Sequence, residues 1–346
     1  MNLNLFKDKK ILITGHTGFK GSWLLLSLQK LGGKILGISK DVTTEPAHFD
    51  IIKKDFKTKF FDIQNYHKLN KAINGFKPDY IFHLAAQSLV KKSYKKPFET
   101  WKTNLNGTLN ILEVLRNYKK KVIVVLITSD KSYKNIEKRI GYKETDEIGG
   151  IDPYSASKSA TEIAINSYFN SHLKLKKNLS IVTARAGNVI GGGDWSDDRL
   201  IPDCVRSWSK KKIITIRNPN STRPWQHVLE AVWGYIILSI FLKKNKKKFN
   251  GEVFNIGPNH RKNYRVIDCL KIFQKYWPNI KWRIKKDKTS KEKNLLKLNC
   301  SKMKIYTGWE TLLDINQTIK LTADWYKTFY KKKNNLSYEQ INSYYS

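Results

Sequence analysis

The sequence predicts an α/β protein, a doubly wound parallel (Rossmann-type) sheet with a smaller, partly irregular C-terminal lobe. Three observations predict it. Short apolar runs alternate with longer stretches of helical periodicity through the first half of the chain, the pattern of strands joined by crossover helices. The first apolar run ends in a glycine triplet that opens a helix. After about residue 187 the alternation gives way to Gly-, Pro- and Trp-rich stretches.

The elements follow in order. "KKILITG" (9–15) reads as a buried strand stopped by Gly, and "FKGSWLLLSLQKLGG" (19–33) as a helix ending on a Gly-Gly stop. Further strands are expected at "KILGIS" (34–39), "KFFDI" (59–63), "DYIFHLAA" (79–86), "KVIVVLITS" (121–129) and "LSIVTARAG" (179–187). Helices are expected at 101–118 and 154–169 between them. A helix from near Val228 and a strand at 252–257 should return to the main sheet. The expected division is therefore discontinuous: 1–187 plus about 226–258 for the sheet domain, and about 188–225 plus 259–346 for the lobe that covers its crevice. Ligands of such folds bind at the C-terminal ends of the strands.

Composition narrows the classes. At 346 residues with 40% hydrophobic and 12% aromatic content, the chain can bury a core. Cys204, Cys269 and Cys300 are odd in number and far apart, which suits neither a disulfide framework nor zinc and points to a reducing cytoplasm. "MNLNLFKDKK" lacks the apolar core of a signal peptide, and the longest apolar run, 233–242, is too short to cross a bilayer. A cytoplasmic protein without a membrane partner is expected. The net charge of +36 comes from small groups of lysines between periodic segments. Charge spread in this way is solvated surface, so no nucleic-acid partner is expected, although a nucleotide substrate would welcome the field. The seven histidines show no HxH or HxxxH grouping, and no metal site is expected.

Three short segments carry chemistry. "TGHTGFKG" (14–21) sets Gly15, Gly18 and Gly21 three residues apart between strand and helix, where a pyrophosphate can approach backbone N–H groups at a helix N-terminus. Asp41 stands about 20 residues past the last Gly, where an acid binds the ribose of NAD; its neighbour Lys40 leaves NADP open. Asp62, at the end of the third strand, is a candidate adenine neighbour, with a plain surface role equally good. "DPYSASK" (152–158) puts Tyr154 and Lys158 four apart on one helix face, and Tyr154 alone among the 17 tyrosines has Lys at that spacing. An ammonium beside a phenol favours the phenolate, a usable base. "TSDKSY" (128–133) ends a buried strand with an adjacent acid and base, Asp130 and Lys131, more than a turn requires.

The GxxGxxG spacing, "HLAAQ" (83–87), Asn104 in "NLNGT" and the YxxxK pair together resemble the extended short-chain dehydrogenase/reductase family of nucleotide-sugar enzymes. Across "TGHTGFKGSWL", "TSDKSY", "RAGNVIGGGDW", "DRLIPD" and "RNPNSTRPWQHVLE" the chain is similar to the CDP-glucose 4,6-dehydratase branch, to about residue 310. The resemblance implies NAD held by Gly15, His16, Gly18, Phe19, Gly21, Asp41, Asp62, Ile63, Ala85, Ala86, Gln87, Asn104, Tyr154 and Lys158. It implies Ser129 on the sugar hydroxyl, Asp130 as acid for the departing 6-hydroxyl and Lys131 where relatives carry Glu. It implies CDP-glucose as substrate, contacted by Asn188, Arg199, Leu200, Arg223 and Glu292, although "KEKNLLKLN" (291–299) departs from the branch. It also implies a homodimer or homotetramer joined through the helices at 101–118 and 154–169.

Overall fold

The computed structural model describes residues 4–52, 56–258, 263–285 and 293–346. The first half runs β1 (Lys10–Thr14), α1 (Phe19–Lys30), β2 (Lys34–Ser39), α2 (His48–Ile51), β3 (Lys57–Phe60), α3 (Tyr66–Phe76), β4 (Tyr80–His83), α4 (Val90–Lys95), α5 (Pro97–Trp101), α6 (Gly107–Asn117), β5 (Val122–Ser129), α7 (Pro153–Tyr168) and β6 (Leu179–Ala186). The second half adds β7 (Val189–Ile190), α8 (Leu200–Ser209), β8 (Ile214–Ile216), β9 (Gln226–His227), α9 (Val228–Phe249), β10 (Val253–Ile256), α10 (Val266–Tyr276), β11 (Trp282–Ile284), α11 (Ser301–Thr307), α12 (Ile315–Lys332) and α13 (Ser337–Tyr345).

Seven strands form one sheet in the order β10-β6-β5-β4-β1-β2-β3, with every pairing parallel. The expected doubly wound sheet is therefore present. The order reverses between β1 and β4, and such a switch point opens a crevice beyond the strand ends. β5 and β6 are buried along their whole length. One apolar cluster packs α1, α9, α12 and α13 on one face, and a second packs α3, α6 and part of α7 on the other.

Local signals explain the boundaries. Asp152 Oδ1 accepts from the backbone N–H groups of Tyr154 and Ser155, at 3.1 and 3.0 Å, with Pro153 at the first helical position of α7. Several expectations change, among them the third strand, which runs Lys57–Phe60 and not 59–63. The stretch at 101–118 is not one helix: a wider π turn at Lys102–Asn106 separates α5 from α6. The extra residue of that turn carries Asn104 inward, where its side chain bonds two other segments, a common use of a π bulge. β4 ends at His83; Leu84 N still donates to Thr14 O at 3.1 Å, and Ala85 then passes against Gly15. The second half is also more helical than its glycines and prolines suggest, with α10, α12 and α13 packed on the core. No helix among the described residues is long and apolar enough to cross a membrane.

Candidate active site

Two turns at the C-terminal edge of the sheet define the crevice. The first follows β1. Gly15 has φ +74°, and a Cβ there would lie 2.7 Å from the Ala85 backbone nitrogen. A Cβ at Gly21 would lie 2.0 Å from the Gly15 carbonyl oxygen, so only glycine lets α1 start this close to the strand. At Gly18 a Cβ would meet nothing nearer than 3.4 Å. This backbone-lined cradle at a helix N-terminus fits a dinucleotide pyrophosphate. Phe19 begins α1, half-buried. Asp41 is exposed just past β2, its carbonyl bonded by Thr17 Oγ1 at 2.7 Å. Asp62 Oδ2 lies 3.4 Å from Lys40 Nζ, and Ile63 is buried against Gly107. Ala85 and Ala86 are half-buried on the segment leaving β4.

His16 is placed differently from a side-chain ligand. Its ring is fully buried, with Nδ1 2.9 Å from Ser39 Oγ and Nε2 3.1 Å from Thr58 Oγ1. Burial pulls its pKa down to about 4, so it is a neutral brace under the turn. Any ligand contact at this residue falls to its backbone.

The second turn follows β5 and carries Ser129, Asp130 and Lys131. Ser129 Oγ donates to Asp130 Oδ1 at 3.0 Å and accepts from the Lys131 backbone N–H at 3.2 Å. Tyr154 is buried at the start of α7 nearby, and its phenol feels both the Ser129 hydroxyl and the Asp130 carboxyl. The Asp130 carboxyl and the Tyr154 phenol are therefore close enough to influence each other's protonation. Asp130 is buried; burial raises its pKa against the lowering influence of Lys131, Ser129, Arg223 and Lys20. Its second oxygen, Oδ2, has no hydrogen-bond partner among the described residues. Burial also raises the Tyr154 phenol and pulls Lys158 down to about 8, while Glu162 supports the ammonium of Lys158.

Around these groups the scaffold is tightly bonded. Asn104 Oδ1 accepts from Gln87 N at 2.8 Å, and its Nδ2 donates to Gln87 O at 3.1 Å and to Ser157 Oγ at 2.9 Å. Gln87 Nε2 donates to Thr100 Oγ1 at 3.0 Å, fixing the loop between β4 and α4. His83 links Thr14 Oγ1 (2.7 Å) to Thr108 Oγ1 (3.0 Å) and is held neutral by burial, with Lys158 assisting.

Toward the second half, Asn188 is half-buried and its carbonyl accepts from Gln226 N at 3.1 Å. Arg199 precedes α8, bonding Asp194 Oδ2 at 3.2 Å and Ser88 Oγ at 3.0 Å, and Leu200 begins that helix half-buried. Arg223 is 9% exposed and donates to the Thr222 carbonyl at 2.8 Å. Glu292 lies outside the described residues.

Sequence reasoning missed Lys20. The residue is half-buried as a whole, but its ammonium is drawn from water and repelled by the charges of Arg199 and Lys158, so its pKa is pulled down to about 8, with Asp130 opposing. The Lys between the last two glycines was the available signal, hidden by the abundance of lysine elsewhere.

Residues 12–322 match the family described as GDP-mannose 4,6 dehydratase. The chain belongs to this family. It is 38% identical to the CDP-glucose 4,6-dehydratase of Salmonella typhimurium over 99% of this chain and 98% of that protein. A probable dTDP-glucose 4,6-dehydratase of Sinorhizobium fredii is 25% identical over 92% of both chains. Among solved structures, the UDP-glucose 4-epimerase of Thermotoga maritima with UDP-glucose superposes with TM-score 0.81 at 21% identity, covering 92% of this chain and 99% of that one. The dTDP-glucose 4,6-dehydratase of Bacillus anthracis in complex with NAD superposes with TM-score 0.78 at 23% identity, covering 92% and 97%. Both structures share the fold.

Proposed function

We propose that this chain dehydrates CDP-glucose to CDP-4-keto-6-deoxyglucose with NAD as bound cofactor. The observation that supports this reading is the hydrogen bond from Ser129 to the buried Asp130 carboxyl, with the Tyr154 phenol near enough to feel that charge. An epimerase needs the phenol alone, whereas removal of water needs a proton donor beside it.

The glycine turn, Asp41, Asp62 and the 85–87 segment would hold the cofactor. NAD there would accept the C4 hydride, return it at C6 and bring positive charge beside the phenol. Tyr154 takes the proton of the 4-hydroxyl, with Ser129 sharing the bond and Lys158 supporting the phenolate. The resulting ketone acidifies the C5 proton. Asp130, whose buried carboxyl keeps its proton closer to neutral pH than an ordinary aspartate, gives that proton to the departing 6-hydroxyl. Lys131 when neutral, or a water it positions, takes the C5 proton and returns it to C5 as hydride reaches C6; a charged Lys131 stabilises the enolate while that water carries the proton. Lys131→Ala should stall the reaction after oxidation. Arg223 is assigned to the diphosphate, a task suited to its planar guanidinium, Asn188 to the sugar and first phosphate, and Arg199 and Leu200 to the nucleotide side.

The homo-oligomer would form through α5, α6 and α7. Phe98 (74% exposed) and Ile163 (60% exposed) are large apolar residues on these helices, of the kind a partner subunit covers.

The test is incubation with NAD and the CDP, dTDP, GDP and UDP forms of glucose, followed by the alkaline absorbance of a 4-keto-6-deoxy sugar. The expected outcome is product from CDP-glucose. A 4-epimer without loss of water would overturn the reading.

A further inference from the structure

The segment 128–133 is gripped from outside the crevice. Thr128 Oγ1, immediately before Ser129, donates to Glu162 Oε1 at 2.7 Å. At the other end the Arg185 guanidinium sits 4.5 Å over the Tyr133 ring, whose hydroxyl donates to Asn255 Oδ1 at 2.7 Å. Arg185 and Glu162 are themselves paired. Nε donates to Oε1 at 3.0 Å and to Oε2 at 2.7 Å, and Nη2 also bonds Oε2. Both side chains are 4% exposed. Arg185 is the register partner of Thr128 across β5 and β6, and Glu162 lies one helical turn beyond Lys158 on α7. Between the two ends, Ser159 Oγ donates to the Ser132 carbonyl at 2.9 Å.

The pair opens onto a cavity of about 350 Å³ whose lining includes Glu144, Asn166, Thr183 and Lys302. Among the described residues, none of those assigned to cofactor or substrate lines it. An ion pair this deep is a poor stability device, because apolar residues of similar volume serve a core as well or better. It does supply direction, through a fork with fixed donor geometry.

We propose that Glu162 and Arg185 are positioning residues, which lock the segment bearing Ser129, Asp130 and Lys131 to the helix bearing Tyr154 and Lys158. Oxidation at C4 and water loss from C6 then act on one sugar without the groups parting. This rests on the dehydratase reading, which wild-type turnover of CDP-glucose tests separately.

The deciding variant replaces both charges, Glu162→Leu with Arg185→Met. The lock predicts a folded protein of unchanged or raised melting temperature. In it, water loss falls about a hundredfold relative to C4 oxidation, the scale of a misplacement near one ångström. The oxidised sugar accumulates, seen by trapping with borodeuteride, and the backbone amides of 129–133 exchange faster with deuterium. A folded double variant with wild-type partition and wild-type amide protection overturns the proposal. If that variant does not fold, Thr128→Val removes one anchor and no charge. It should shift the same partition several-fold at near-constant melting temperature, and an unmoved partition overturns the lock. Wild-type protein that makes no 4-keto-6-deoxy product sinks the dehydratase reading itself, and amide exchange then reads the lock alone.

Discussion

At the end of β1 the chain turns through residues 14–21 with almost no side chain in the way, whereas two strands along the sheet, at the end of β5, it turns with Thr128, Ser129, Asp130 and Ser132 all buried. The supports behind the two turns differ as well. The glycine turn rests on neutral histidines: His16 between Ser39 and Thr58, and His48, stacked 4.9 Å from Trp23 and bonded to Ser22 Oγ and Ser337 Oγ. The β5 turn rests on the Glu162–Arg185 ion pair. A turn that receives a phosphate must leave backbone N–H groups bare, so it is recognised by what is missing. A turn that moves protons must hold charged groups at fixed spacing, so it is built from side chains and braced by charge.

Substitutions at the two turns should therefore fail in different ways. The largest expected effect is at the β5 turn. Asp130→Asn keeps the shape and removes the acid, so product formation should fall about 10²–10⁴-fold while C4 oxidation continues, read by single-turnover kinetics. Equal loss of both steps would give Asp130 a role in oxidation too.

Acid should strike the histidine-backed side. His16 and His48 have folded pKa values of about 4 and about 3 against 6.5 for an ordinary histidine. As pH falls below 6.5, the unfolded chain takes up protons that these buried rings refuse, so stability drops. Each ring contributes about 1.4 kcal/mol per pH unit until its folded pKa is reached. The melting temperature between pH 7 and 5 should decline accordingly, and a flat profile would contradict the neutral-histidine support.

Next in size is Gly21→Ala. The added methyl meets a carbonyl oxygen 2.0 Å away, and forcing such contacts costs about 1–3 kcal/mol. Calorimetry should find NAD binding abolished while the β5 turn keeps its amide protection. The smallest effect belongs to Asp41→Ala. An exposed hydrogen bond of about 1 kcal/mol amounts to roughly a fivefold loss of NAD affinity. A gain in NADP binding by this variant would show that the carboxylate selects the cofactor.

These differences also explain which parts could be read from the chain. Six of the seven strands of the sheet ran as apolar segments bounded by turn residues, and the period of two or 3.6 follows from backbone geometry alone. The glycine turn was legible because only glycine fits a positive φ and a 2.0 Å approach. Tyr154 and Lys158 were legible because a helix sets their spacing by itself. The π turn at Lys102–Asn106 was not, since its register is set by the bonds Asn104 makes to Gln87 and Ser157 from elsewhere in the chain. Lys20 was lost among many lysines until the fold placed it within the electrostatic influence of Lys158 and Asp130.

Sequence alone determined the alternation of elements, the cradle of glycines and the identity of the proton-handling groups, because these depend on local sterics and on chemical type. Tertiary structure alone decided that Tyr154 is buried where it feels the Asp130 charge, that His16 turns inward, and that Glu162 and Arg185 meet behind β5. Those contacts lie between residues far apart in the chain, and parallel strand register, which no local pattern encodes, is what brings Thr128 level with Arg185.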